Sequence, residues 1–309
     1  MKLFYADHFV LPLPAGHRFP MEKDARLRAR LAASGVFDAA DFVVPTAVSD
    51  TEILRAHGAD YLRRVVTGQL DAAELRRIGF PWSAQMVERS RRSAGATLAA
   101  CRAALAEGCA ANLAGGTHHA QRECGAGFCV FNDAAIAALA MRAEGRVRRV
   151  AVIDCDVHQG DGTAAILADE PELFTLSLHG AKNFPFRKAR SDLDVELPDG
   201  TADGEYLAAL EAGLAALFGR IVPELVIYLA GADPYRDDRF GRLALSPEGL
   251  AARDALVLEA AFARGIPVAL AMAGGYARHI DDTVAIHAAT ILTAARLSGH
   301  TPHDGRRAT

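Results

Sequence analysis

The chain has 309 residues, 51% hydrophobic and 23% charged, which is enough apolar material for a large core and excludes global disorder. A formal net charge of −4 gives no electrostatic footprint for nucleic acid and no basic face for an anionic membrane. Five cysteines, an odd count in a long chain, are expected to stay thiols in a reducing compartment.

MKLFYADHFV lacks the pattern of a secretory leader, and no run reaches the roughly 18 apolar residues that span a bilayer. The expectation is a cytoplasmic protein with no membrane and no nucleic-acid partner. Residues 2–6 read as a first strand, followed by a Pro/Gly-rich loop through GHRFP (16–20) and a helix over 22–31. Ser49 and Glu52 fit a capping box that opens a helix ending near His57-Gly58. An Ala-rich helix from Ser83 to Glu107 stops at Gly108.

From there strands at 111–115, 148–154, 173–178, 224–230 and 267–273 alternate with helices at 132–144, 162–168, 203–219, 246–264 and 280–297. Runs such as VAVI and LVIYLA are continuously apolar, as in parallel strands covered on both faces. The rhythm predicts one α/β domain over 1–309, a three-layer α/β/α sandwich around a mostly parallel sheet, with 298–309 a flexible tail. Two long loops, 117–131 and 179–202, follow strand ends, where pocket walls are expected.

Each of these strands ends in polar residues: His118 and His119; Asp154, Asp156 and His158; Ser177 and His179; Asp233; and Tyr276. Open parallel sheets bind ligands beyond the carboxyl ends of their strands, so five distant segments are predicted to build one site. In Asp154-Cys-Asp156-Val-His158 strand alternation would put the three polar side chains on one face. Taken alone, that stretch reads more readily as a cap for the helix opening at Asp161. With Asp233 added, Asp156, His158 and Asp233 supply three ligands and leave positions open, the pattern of a catalytic metal site. One imidazole and two carboxylates make an oxygen-rich set for which Fe²⁺, Mn²⁺ and Co²⁺ compete with Zn²⁺.

His118-His119 suit a general acid and base beside an activated water, with Asp154 and Asp161 as the spare carboxylates to anchor them. An isolated His pair is more often a feature of a surface loop. Cys124 and Cys129 lack the second pair and the spacing of a zinc knuckle. Tyr276, after Gly274-Gly275, offers an O–H where an oxyanion develops; a Tyr packed at a strand end is the plainer alternative. No GxSxG occurs, and Cys129 and Cys155 lie in apolar surroundings that disfavour a thiolate nucleophile.

GGTHHA (115–120), GFCVFND (127–133), DCDVHQGDGT (154–163), NFPF (183–186), GADP (231–234) and AGGY (273–276) together resemble the histone deacetylase family. GHRFPMEK (16–23), RSDLDVELPDGT (190–201) and DRFGRLALSPEGL (238–250) look most like its class IV group and bacterial relatives. The resemblance implies the arginase–deacetylase fold and zinc-dependent hydrolysis of N-acyl-lysine, with Asp156, His158 and Asp233 on the metal. It implies His118 and His119 as the proton-handling pair backed by Asp154 and Asp161, and Tyr276 on the carbonyl. Gly127, Phe128 and Phe184 would wall a channel for the acyl-lysine stem, with Phe240 at its mouth. A structural K⁺ would fall on Asp154, Asp156, His158, Ser177 and Leu178.

The resemblance leaves two substrate classes, an acylated lysine peptide or protein and a small acylated amine such as an acylpolyamine. A reading of another class is a catalytically silent acyl-ligand binder, whose mark would be a lost ligand or a lost Tyr. Gln159-Gly160 stand where a two-metal ureohydrolase would carry a further Asp, which points to one metal. The Ala-rich face over 94–106 suits a dimer contact or core packing equally, so the oligomeric state is left open.

Overall fold

The strand Val150–Asp154 shows how the layers form: Val150 and Val152 enter one apolar core while Ala151 and Ile153 enter the other. The same two-sided burial holds for its neighbours, whose runs are mostly apolar before their ends; Thr175 is an exception, and its hydroxyl donates to Asp192 Oδ2 (2.9 Å). The computed structural model describes residues 1–301.

In chain order the elements are β1 (Lys2–Phe4), α1 (Lys23–Ala32), β2 (Phe42–Val43), α2 (Asp50–Ala56), α3 (Ala59–Thr67), α4 (Ala72–Ile78), α5 (Ala84–Glu107) and β3 (Cys109–Asn112). Then follow α6 (Asp133–Ala143), β4 (Val150–Asp154), α7 (Asp161–Leu167), β5 (Leu173–Gly180), β6 (Leu193–Leu197), α8 (Asp203–Arg220), β7 (Leu225–Leu229), α9 (Pro247–Phe262), β8 (Val268–Ala271) and α10 (Ile280–Leu297). The sheet runs β2-β1-β3-β8-β7-β4-β5-β6, and every pairing is parallel. One core packs α2, α3, α5 and α6 against the sheet and the other packs α1, α8, α9 and α10, the expected α/β/α sandwich.

The Ser49 side chain accepts from Glu52 N while the Glu52 carboxylate accepts from Ser49 N, as the capping box predicts. Ala94, Ala96, Ala100 and Ala104 of α5 are buried, so core packing accounts for its Ala-rich face. Among the described residues no helix is long and apolar enough to cross a membrane, and all five cysteines are free.

Several boundaries differ from the sequence pattern. β1 ends at Phe4, and β3 lies at 109–112 rather than 111–115 because Gly115 and Gly116 at positive φ have already turned the chain. Residues 59–78, for which periodicity gives no assignment, form α3 and α4. The expected 179–202 loop contains the edge strand β6, where Leu193, Val195 and Leu197 alternate with acidic residues. His300, placed by sequence in the tail, is instead held: the Met1 ammonium lies 2.9 Å from its Nδ1, and its ring stacks on Phe37. Residues 302–309 of that tail lie outside the described residues.

Candidate active site and metal centre

The four central strands β3, β8, β7 and β4 end on the same edge, and the loops leaving them line a cavity of about 510 Å³. Its floor holds Asp156, His158 and Asp233, whose ligand atoms all lie within 4.8 Å of one another. Strand alternation does not bring them together. β4 stops at Asp154, and the loop beyond it is folded by Asp side chains: Asp156 N donates to Asp154 Oδ1 (3.1 Å) and His158 N to Asp156 Oδ1 (2.9 Å). Asp233 arrives from the loop after β7 and is tied in by Val157 N on its Oδ1 (2.9 Å).

The cluster has the marks of a cation site. Asp233 Oδ2 is buried and receives no hydrogen bond, although His158 Nδ1 lies 3.3 Å away. Burial and then the Asp156 charge push the Asp233 carboxyl up to about 7, the response of packed acids in want of positive charge. Burial works against protonation of His158, but the Asp156 and Asp233 carboxylates outweigh it and raise that imidazole to about 10. Gly274 donates its N–H to Asp156 Oδ2 (2.7 Å), and any side chain there would collide with Asp233 Oδ2. One nitrogen and two carboxylates with room to spare fit a single divalent ion with open positions.

Beside the floor stand two His–Asp pairs: His118 Nδ1 to Asp154 Oδ2 and His119 Nδ1 to Asp161 Oδ1, both 2.6 Å. A carboxylate only accepts, so each Nδ1 donates and each Nε2 is left for other chemistry. The ring centroids are 4.1 Å apart, yet the two imidazoles are pushed in opposite directions. Burial opposes charge on both. For His118 the adjacent Asp154 and Asp156 overcome burial and raise it to about 9, whereas His119, further disfavoured by the neighbouring His118, falls to about 4.

Tyr276 is reached from β8 through a constrained turn in which Ala273 has φ 55°. Burial, then Asp233 and Asp156, hold its phenol well above the usual range and therefore protonated. Asp238 Oδ2 accepts from Tyr276 N (2.6 Å), fixing the start of the side chain.

Phe128, at φ 66°, follows Gly127, where a Cβ would sit 2.6 Å from His119 Cδ2. Phe184 stands edge-on to His119 at 4.9 Å, and Phe240 edge-on to Tyr276 at 5.0 Å. All four predicted channel residues line the cavity. Asp154 and Ser177 are register partners on β4 and β5, with Leu178 next in line. His179 is outside the cavity lining, its Nδ1 2.9 Å from the Ser177 hydroxyl.

Three residues that sequence patterns did not single out also shape the site. Lys23 is buried, donates from Nζ to Ala273 O (2.9 Å) and sits 5.7 Å from the Tyr276 ring; burial lowers its pKa against the pull of Asp24, Asp233 and Asp156. Arg253, 0% exposed, reaches beneath both metal-side loops to Gly231 O (2.5 Å) and Cys155 O (3.3 Å). His57 lies between the two ends of the 117–131 segment, its Nδ1 donating to Gln121 O and its Nε2 accepting from Asn132 N, both 2.9 Å. A lone cation at a helix start or a lone His at a helix end carries no signal of such a role. Only the fold brings them in.

A family model described as "Histone deacetylase domain" matches residues 17–292. The chain belongs to the histone deacetylase family. It is 43% identical over 283 residues to an uncharacterized protein of Picosynechococcus sp., covering 92% of this chain and 94% of that one. It is 32% identical over 282 residues to histone deacetylase 2 of Arabidopsis thaliana, covering 87% and 73%. Among solved structures, the crystal structure of an HDAC homolog from Aquifex aeolicus superposes with a TM-score of 0.80 at 25% identity, over 97% of this chain and 84% of that one. This histone deacetylase-family chain is thus an amidohydrolase on the arginase–deacetylase fold.

Proposed function

We propose that this chain hydrolyses the amide bond of N-acyl-lysine side chains, with Asp156, His158 and Asp233 holding one Zn²⁺ or, in its place, Fe²⁺. The observation that carries the reading is the convergence of those ligands, with one buried carboxylate oxygen left without a donor, on a cavity that Tyr276, His118 and His119 also line. When bound, the ion supplies Lewis acidity that draws charge onto the acyl oxygen and eases deprotonation of water.

The side chains divide the remaining work. Neutral His119, oriented by Asp161, accepts the proton of the attacking water at Nε2. Tyr276 donates its O–H to the carbonyl oxygen as negative charge develops there. His118, held protonated by Asp154, delivers a proton to the departing amine. The opposite shifts of the two imidazoles support this assignment of base and acid. Gly127, Phe128, Phe184 and Phe240 enclose the apolar stem of the acylated lysine. A K⁺ on Asp154, Asp156, His158, Ser177 and Leu178 belongs to the same reading, supported by the β4–β5 register. Five free thiols favour a cytoplasmic setting.

The test is hydrolysis of acetyl-, butyryl-, octanoyl- and myristoyl-lysine peptides and an acetylated polyamine by protein stripped of metal and then reloaded with Zn²⁺ or Fe²⁺. Turnover of peptides that disappears on stripping and returns on reloading supports the reading. Metal-loaded protein that turns over none of the peptides refutes it.

A further inference from the structure

We propose that the mouth of the cavity selects acyl-lysines in acidic sequence surroundings and rejects polycationic acylamines. The inference rests on the deacylase reading and adds to it a charge preference set by residues away from the floor. Three cationic side chains from three separate loops form the outer wall: Arg18 after β1, Lys182 after β5 and Arg242 between β7 and α9, all exposed.

The carboxylates that line the same cavity, Asp24, Asp156 and Asp233, are all buried. Asp24 is already engaged by Arg89 at 2.9 Å, and the other two belong to the metal floor. Lys182 and Arg242 have to share one partner, Asp199, at 3.7 and 3.2 Å, and remain 74% and 52% exposed. Among the described residues no carboxylate pairs with Arg18. The mouth is therefore net positive although the chain as a whole carries −4.

Phe186, 88% exposed, stands edge-on to Phe184 on the Lys182 loop, so cations and an apolar platform meet at the entrance. A low-dielectric cleft rimmed by one sign of charge focuses its field on whatever approaches. An acylated lysine is neutral at the acylated nitrogen, so its flanking residues supply the charge that meets this rim. Asp or Glu flanks are attracted. An acylpolyamine brings its remaining ammonium groups within a few bonds of the amide and is repelled.

The measurement is kcat/KM of the metal-loaded protein on acetyl-lysine peptides that differ only in acidic, neutral or basic flanks, together with acetylspermidine, at low and high ionic strength. The expected order is acidic, neutral, basic, with a spread of roughly tenfold or more at low salt that shrinks at high salt. Acetylspermidine should rank with the basic peptide or below it. In Lys182→Glu/Arg242→Glu, and separately in Arg18→Glu, the order should flatten or reverse; Arg18, having no ion pair to lose, serves if the double variant misfolds. Equal rates across the peptides, a preference for basic flanks, or an order unmoved by salt and by Arg18→Glu overturns the proposal. Failure on the neutral peptide itself would instead remove the deacylase reading on which it rests.

Discussion

Tyr276 and Asp233 both line the cavity, but in the proposed reaction they serve different states, and their substitutions should separate. In that proposal the Tyr276 O–H meets charge that exists mainly in the transition state. Tyr276→Phe should therefore lower kcat by about 10²–10³-fold and move KM little. A steady-state comparison on one acyl-lysine peptide decides it, and a change confined to KM would remove the oxyanion role. As a proposed metal ligand, Asp233 acts before any substrate arrives. Asp233→Ala deletes the carboxylate whose Oδ2 lacks a donor, and bound metal should be lost, as read by elemental analysis and chelator competition. Full occupancy in that variant would mean the ligand set is wrong.

At the scale of elements, the question is what holds the 117–131 loop, which carries His118, His119, Gly127 and Phe128. His57, at the end of α2, bridges it by donating to Gln121 O and accepting from Asn132 N, an arrangement open only to the neutral ring. Burial is the main cause that lowers His57 from 6.5 to about 4, and its bond to the Gln121 carbonyl opposes that without reversing it. The sign follows: below 6.5 the unfolded chain binds a proton that the folded chain refuses. The contribution is complete above 6.5 and is lost as pH falls from there toward 4, by at most about 3 kcal/mol. Denaturant titrations of the wild type and His57→Gln at neutral pH and near pH 5 test this; the variant should show the shallower loss, and parallel losses would place the sensitivity elsewhere.

This clamp also shows where sequence reading stops. Periodicity locates α2 and its capping box because those signals are local. The partner of His57 is 64 residues away in sequence, and nothing around His57 announces it. The same limit applies to β2, two residues long, and to β6, whose Leu-x-Val-x-Leu alternation was legible but lay inside a loop already assigned. Asp154, Asp156 and His158 were legible as a group for a reason that the fold replaces, since Asp turns rather than strand pleat bring them together.

For the whole molecule, the site is a consequence of strand order. β8 and β7 lie between β3 and β4, so segments 36 and more residues apart in sequence empty onto one edge. That convergence was readable because parallel strands all present their carboxyl ends together; the order of strands was not, and neither was what supports the edge from below. Arg253 and Asp254 of α9 provide that support. Asp254 binds Arg253 Nε at 2.9 Å and also accepts from Tyr228 on β7 (2.6 Å) and Thr290 on α10 (2.5 Å), while Arg253 holds the carbonyls of Cys155 and Gly231. One guanidinium thus ties the loops after β4 and β7, and with them Asp156 and Asp233, to the helical layer. Arg253→Met would leave the Asp254 carboxylate and two carbonyls buried and short of donors, a loss of about 3–5 kcal/mol in stability. It should also weaken metal binding by roughly 10–100-fold, the range for partners that orient ligands without touching the metal. Arg253→Lys keeps the charge but not the planar fork, and should fall between. Thr290→Val provides the control: it removes one bond to Asp254, costs about 2 kcal/mol, and should leave metal affinity as it was. Chelator competition on the folded fraction of each variant distinguishes the two effects. An Arg253→Met protein that is destabilised yet binds metal as tightly as the wild type would show the guanidinium to be a core tie without influence on the ligands.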